Sequence, residues 1–319
     1  VIGLYVVSAQ QGSPSYLLSD LASLDISQTA GRWLFLGFFI AFAIKAPMFP
    51  VHTWLPDTTE KATTGTSVLL VCILDKIGTF GMLRFNLGLF PEASQWATPV
   101  VVVLALISIV YGAFVAIGQN DVLRLIGLTS LSHFGFIVLG IFVFSTQGGS
   151  GAVLYMVNHG IGTAALFLLA GFLIRRSGTQ LISEMKGIEK VTPVLAGLFL
   201  IAGLAGAGLP GLAPFVSEMM VLISAFGHAW WTGAIAVTAI VLAAVYMLWM
   251  YQRTMTGPTN VVGEGMAEIN ERELGTVVPL LVGLVFFGFF PMTLLNVINP
   301  YVETTLSHVE SSDSLDSVR

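Results

Sequence analysis

Apolar residues gather along this chain in long, almost uninterrupted runs, and the polar positions between them are short and clustered. Runs of 18 or more apolar residues with few charges read as membrane-crossing helices rather than core strands. They predict about eight spans, over Trp33–Leu55, Thr64–Phe85, Ala97–Ile117, Asp121–Phe144, Gly151–Leu173, Val194–Phe226, Trp230–Met250 and Val277–Ile298. Two spans break the pattern. In the first, Lys45-Ala46-Pro47-Met48-Phe49-Pro50 follows the apolar run Trp33–Ile44, and its prolines remove backbone donors and crowd carbonyls where a helix would continue. The sixth is too long for one straight crossing, and Gly206-Ala207-Gly208-Leu209-Pro210-Gly211-Leu212-Ala213-Pro214 breaks it just before Glu218. Broken helices at membrane depth survive only where protein or a wet cavity satisfies the freed peptide groups, so both breaks point to an ion or proton path.

Composition agrees, with 55% apolar residues, 10% charged ones and a mean hydropathy of +0.87. Nucleic-acid binding and soluble catalysis are excluded on that balance. The fold expected is an all-α, polytopic membrane bundle with two discontinuous helices and inverted repeats. A single transmembrane domain is expected over residues 1–319, opening with the end of a preceding helix, with the N-terminal part of a fuller subunit expected upstream of it. Lys61, Arg124, Arg175, Arg176, Lys186, Lys190, Arg253 and Arg272 fall in alternate connections, which makes that face cytoplasmic by the positive-inside rule. The acidic stretch Val261–Leu274, with Glu264, Glu268, Glu271 and Glu273, reads as a solvated connection, open to a partner or simply charged. Residues 301–319 form a polar tail, rich in Ser, Asp and Glu from Glu303 onward, and a mobile segment is expected there.

The candidate chemistry lies inside the spans. Lys76 sits near the middle of the second one, too deep to reach water easily, and an ionisable group there marks a pathway by default. The alternative is a fixed ion pair with Glu218 or another acid that only holds helices together. His133 and His159 fall toward the interior of the fourth and fifth spans, where an imidazole can accept on one nitrogen and donate on the other. A core histidine bonded to a carbonyl is the alternative for each. Lys45 stands at the C-terminal end of a half-helix and Glu218 near the N-terminal start of another, placements the helix dipole favours for a cation and an anion. Asp75 points to a different helix face from Lys76 and remains open. Lys45 needs a compensating acid, and its expected partner lies on a helix preceding Val1, because Asp57, Glu60, Asp75 and Glu218 are all poorly placed. The lone Cys72 reads as a core filler. With no cysteine cluster, no dinucleotide-binding glycine loop and no haem-like histidine pair, electron transfer through this chain is not expected.

The motifs Lys45-Ala46-Pro47, His52-Thr53-Trp54-Leu55-Pro56-Asp57, Gly65-Thr66-Ser67-Val68-Leu69 leading to Lys76, Leu83-Arg84-Phe85, Ser130 to Phe136, His159-Gly160, and Leu209-Pro210-Gly211 to Glu218 together resemble the antiporter-like subunits of respiratory complex I, the proton-pumping NADH:quinone oxidoreductase. The resemblance covers nearly the whole chain. It implies that Lys45 is the lysine of the first broken helix, Lys76 the central lysine, His133 and His159 the histidines of a central axis, and Glu218 the acid of the second broken helix. Asp75 departs from the family's usual apolar residue. The resemblance further implies a proton-translocating subunit in a bacterial cell membrane, or alternatively a mitochondrial inner membrane. Other complex I membrane subunits, including neighbouring antiporter-like ones, and the lipid bilayer would surround it. NADH, FMN, iron-sulfur clusters and quinone would be held by partner subunits, with no cofactor in this chain. The rival is a subunit of a multisubunit cation/proton antiporter.

Overall fold

The computed structural model describes residues 1–12 and 14–316. Among them every regular element is a helix, as expected where lipid cannot satisfy backbone groups and each segment has to bond to itself. A short helix α1 (Ile2–Gln10) and a single turn α2 (Leu18–Leu21) precede α3 (Gln28–Lys45) and α4 (Trp54–Lys61). Then come α5 (Thr64–Leu87), α6 (Pro91–Ile117), α7 (Val122–Phe142) and α8 (Thr146–Ser177), followed by α9 (Pro193–Gly206), α10 (Ala213–His228), α11 (Trp230–Met255), α12 (Glu271–Phe289) and α13 (Met292–Asp316). Six of these helices, α5 to α8, α11 and α12, are long and apolar enough to cross a membrane. The chain is a multi-pass membrane protein.

Both anticipated breaks are present. Helix α3 stops at Lys45 and α4 starts at Trp54, while α9 and α10 are separated by residues 207–212. At the first break the carbonyl of Ala43, which Pro47 cannot serve, accepts from Met48 N at 3.1 Å. The Trp54 indole donates to Ile44 O at 2.9 Å, and Phe49 N donates to the Ser108 hydroxyl at 2.9 Å. Freed peptide groups are therefore satisfied by protein rather than left to lipid.

Helix α7 is the hub, since every residue of it except Arg124 is buried. Its N-terminus is capped by Asp121, whose Oδ1 accepts from Arg124 N at 2.9 Å. Around it the apolar interior divides into two clusters. One holds Ala43, Met82, Phe134, Tyr155 and Val221, and the other holds Leu55, Val71, Leu128, Ala165 and Ala213. On α5, α7 and α8 the boundary between the clusters falls at Lys76, His133 and His159, and on α10 Glu218 lies between Ala213 and Val221; Lys45, between Ala43 and Ala46, lies within the first cluster.

Two boundaries differ from the sequence reading. The span expected over Val277–Ile298 ends at Phe289, and Pro291 separates it from α13. The tail expected to be mobile continues as α13 to Asp316, with Val302, Leu306 and Val309 buried; residues 317–319 of that expectation lie outside the described residues. Their 4-and-3 spacing gives α13 one apolar stripe, and Val302 and Leu306 set that stripe on the start of α8 at Gly149. The acidic stretch is put to internal use. Glu268 accepts from Val194 N and Leu195 N at 2.8 and 3.0 Å, capping α9, while Glu273 closes a capping box with Asn270 and grips Arg176 through two hydrogen bonds of 3.0 and 2.5 Å.

Candidate functional site

Helix α5 is irregular where the chemistry lies. Two π-helical turns, Leu70–Leu74 and Met82–Leu87, flank the ordinary turn Lys76–Gly81, and such π-bulges commonly mark functional positions because they re-aim carbonyls and side chains. The Lys76 ammonium donates to the Val71 carbonyl at 2.7 Å, stands 2.7 Å from His159 Nδ1, and lies 4.8 Å above the Phe134 ring. An ammonium has donors only, so with Lys76 charged Nδ1 accepts and the imidazole carries its proton on Nε2. The alternative Lys76–Glu218 ion pair does not occur among the described residues.

From His159 the row continues to His133, with ring centroids 5.0 Å apart. His133 Nε2 lies 3.5 Å from the Tyr246 hydroxyl, and its ring is 5.8 Å from that of Tyr155. Tyr155 donates to Glu218 Oε1 at 2.5 Å. A cavity bordered by His133, Tyr155, His159, Gly206 and Pro214 leaves about 10 Å³ for the centre of a water molecule, room for about one. The second break shapes this end. Gly208 adopts φ +68°, and a β-carbon there would sit 2.2 Å from Glu218 Oε2, so the bend and the carboxylate fit only around a glycine. Asn158 donates to Ala213 O at 2.8 Å and lies 3.3 Å from Ser217 Oγ, holding the start of α10 in place.

Lys45 is the one candidate outside this continuous row. Its ammonium is paired with Asp75 at 3.3 Å and lies 5.6 Å above the Trp54 ring. The sequence reading looked for its partner on a helix before Val1 and judged Asp75 poorly placed; among the described residues the partner is Asp75, thirty positions on. The physical reason is close packing. A β-carbon on Gly78 would sit 2.4 Å from Ala46 N and 2.6 Å from Phe42 O, so the end of α3 rests directly on α5, one turn past Asp75. Tyr155 and Tyr246 are absent from the sequence-derived candidates, and Asp75 was placed among them without a partner. Tyr155 precedes His159 by four positions, the spacing that puts two side chains on one helix face, and this was the signal available for it.

Toward the face that carries most of the basic residues, Asp57 and Glu60 both accept from Arg124, at 2.6 and 2.8 Å. Lys61, and then Arg124, hold the Glu60 carboxyl below its ordinary range. His52 is buried between Phe49 and Tyr111.

A multi-pass membrane protein with two interrupted helices and a buried row of ionisable groups belongs by architecture with ion and proton transporters. Residues 1–243 match the model of the NADH:quinone oxidoreductase/Mrp antiporter transmembrane family, and the chain belongs to that family. It is 50% identical to NADH-quinone oxidoreductase subunit M of Mycobacterium tuberculosis, across 100% of this chain and 59% of that protein. It also resembles a chain of respiratory complex I from Thermus thermophilus with bound NADH, at 33% identity and a TM-score of 0.90, over 97% of this chain and 65% of that one. The Mrp complex from Dietzia shares the fold, with a TM-score of 0.85 at 22% identity over 97% of this chain and 66% of that one. The chain spans about three-fifths of the length of the curated relatives it matches.

Proposed function

We propose that the chain is a proton-translocating, antiporter-like membrane subunit of an NADH:quinone oxidoreductase, corresponding to subunit M. Protons move along Lys45, Lys76, His159, His133 and Glu218, driven by redox chemistry in other subunits. NADH, FMN, iron-sulfur clusters and quinone belong to those subunits, and the membrane is the bacterial cell membrane. The observation that carries this reading is the placement of Lys76, His133 and His159 at the boundary between two apolar cores, on helices α5, α7 and α8, with Glu218 joined to them through Tyr155. A structural ion pair would need one such residue and its partner. A row of them along one boundary is what lateral charge movement needs.

Each member has a defined capacity. Lys76 can hand a proton to His159 Nδ1, and the ring can release the one on Nε2, so the proton crosses the imidazole without passing through the gap itself. One water in the adjoining cavity brings His159, His133 and Tyr155 into hydrogen-bond relation. Tyr155 then meets the carboxylate of Glu218, the last acceptor before the second break.

The family and the Dietzia fold also favour a second reading, a subunit of a multisubunit cation/proton antiporter. Purification of the tagged full-length subunit from its own membranes separates the two. Recovery with NADH-oxidising subunits, together with loss of NADH-driven pumping in Glu218→Gln, supports the first. Recovery without them, with sodium-dependent proton exchange, supports the second and overturns the first.

A further inference from the structure

Two cavities between α6 and α11 share Val103 and Trp231 and so form one groove. Its outer part, about 560 Å³, is bordered by Gln95, Thr98 and Phe144 and by His228 at the end of α10. That end lies at the α7–α8 and α10–α11 connections, on the face opposite most of the basic residues. The deeper part, about 510 Å³, is walled by aliphatic side chains from Val103 to Val110 and by Ile235, with Trp231 at one end and Tyr111 at the other.

Three features of the groove define what fits it. The first is length. From Val103 to Tyr111 helix α6 rises about 12 Å, close to the roughly 15 Å of one half of the hydrocarbon core. The second is the shape of the wall. Helices that pack together in a membrane approach through small residues, and α6 does so on its other face, where a β-carbon on Gly112 would sit 2.9 Å from Ser132 N of α7. The deeper part of the groove holds no Gly, Ala, Ser or Thr, so it suits a thin flexible chain rather than a partner helix. The third is the chemistry of the mouth. Among the described residues neither the His228 ring nor the Trp231 indole has a hydrogen-bond partner, and no acidic side chain borders the opening. The Gln95 amide is already committed, donating to Val309 O at 3.0 Å. Two uncommitted donor side chains without a carboxylate beside them match the oxygens of a phosphate, and Trp is the side chain that settles at headgroup level.

We propose that this groove is a phospholipid site of the outer leaflet, with one acyl chain seated between α6 and α11 and the phosphate at His228 and Trp231. The chain ends on Tyr111, whose ring stands edge-on to Phe49 and His52 of the first break, with centroids 5.6 and 5.3 Å away. Ser108 on the same helix holds the Phe49 amide. The lipid therefore braces, from the membrane side, the stretch of α6 on which the first break rests.

The test is an electron cryo-microscopy structure of the intact complex purified with its native lipids, repeated after adding phosphatidylglycerol with a brominated acyl chain. Chain density is expected between Val103 and Tyr111, with bromine in it where the added lipid has exchanged, and a phosphate oxygen within about 3.2 Å of a His228 or Trp231 nitrogen. A protein helix in the groove overturns the proposal, as does an isoprenoid chain there or an empty groove in both samples. Ile107→Trp fills the deeper part from an exposed position. Native mass spectrometry of that variant should read one phospholipid fewer per complex, with subunit content unchanged, and an unchanged lipid count overturns the site. If the variant fails to assemble, the wild-type structures alone decide.

Discussion

Gly208→Ala separates a bend that merely connects two half-helices from one that holds a proton acceptor. The backbone at Gly208 is left-handed, at φ +68°, and a residue with a β-carbon is disfavoured there by about 1–2 kcal/mol. The new methyl would also sit 2.2 Å from Glu218 Oε2. That oxygen ends a flexible side chain, so the clash is relieved by swinging the carboxylate aside, which breaks its 2.5 Å hydrogen bond from Tyr155. Hydrogen bonds to charged groups are worth about 1.5–3 kcal/mol, so strain and lost bond together come to about 2.5–5 kcal/mol. Gly197→Ala is the control. Gly197 is exposed inside α9, a β-carbon there would meet nothing within 4 Å, and alanine should help the helix by about 1 kcal/mol. The assays are the thermal inactivation midpoint of the assembled complex and the protons pumped per NADH. Gly208→Ala should lower both, and Gly197→Ala neither. Normal pumping in an assembled Gly208→Ala complex would refute the claim that this bend positions Glu218.

Tyr155→Phe removes the same hydrogen bond without backbone strain, so it should lower the pumping ratio with little loss of assembly, measured by subunit content after purification. Gly78→Ala meets backbone atoms, Ala46 N and Phe42 O, that cannot rotate away; overpacking of this kind costs about 1–3 kcal/mol, and the thermal midpoint should fall. Arg176→Ala removes two hydrogen bonds to Glu273 and others to the carbonyls of Ala267 and Glu268. A loss of about 1.5–3 kcal/mol is expected, read as faster proteolysis of the 256–270 connection.

The spans and both breaks were legible because they rest on local rules: apolar length, and prolines that a helix cannot absorb. Lys76, His133, His159 and Glu218 stood out because an ionisable residue in an apolar run is rare whatever surrounds it. Asp75 did not reveal its partner, since adjacent helix positions do not face each other and Lys45 reaches it only through the packing of α3 on α5 at Gly78. Tyr155 and Tyr246 hide among apolar residues, and their hydroxyls acquire meaning only beside Glu218 and His133. Pro291 was a visible stop signal inside the last apolar run, where hydropathy alone carried the span too far. In the tail, the stripe of Val302, Leu306 and Val309 was masked by the serines and acids around it.

The central claim is that charge moves along the buried row, and Lys76 opens its continuous part, bonded to Val71 O and His159 and outside ion-pair distance of every described carboxylate in this state. The most direct measurement is the number of protons pumped per NADH oxidised by vesicles carrying the full-length subunit with Lys76→Ala, with assembly verified. A lowered ratio in an assembled complex is the predicted result. An assembled Lys76→Ala complex pumping at the wild-type ratio would contradict the account.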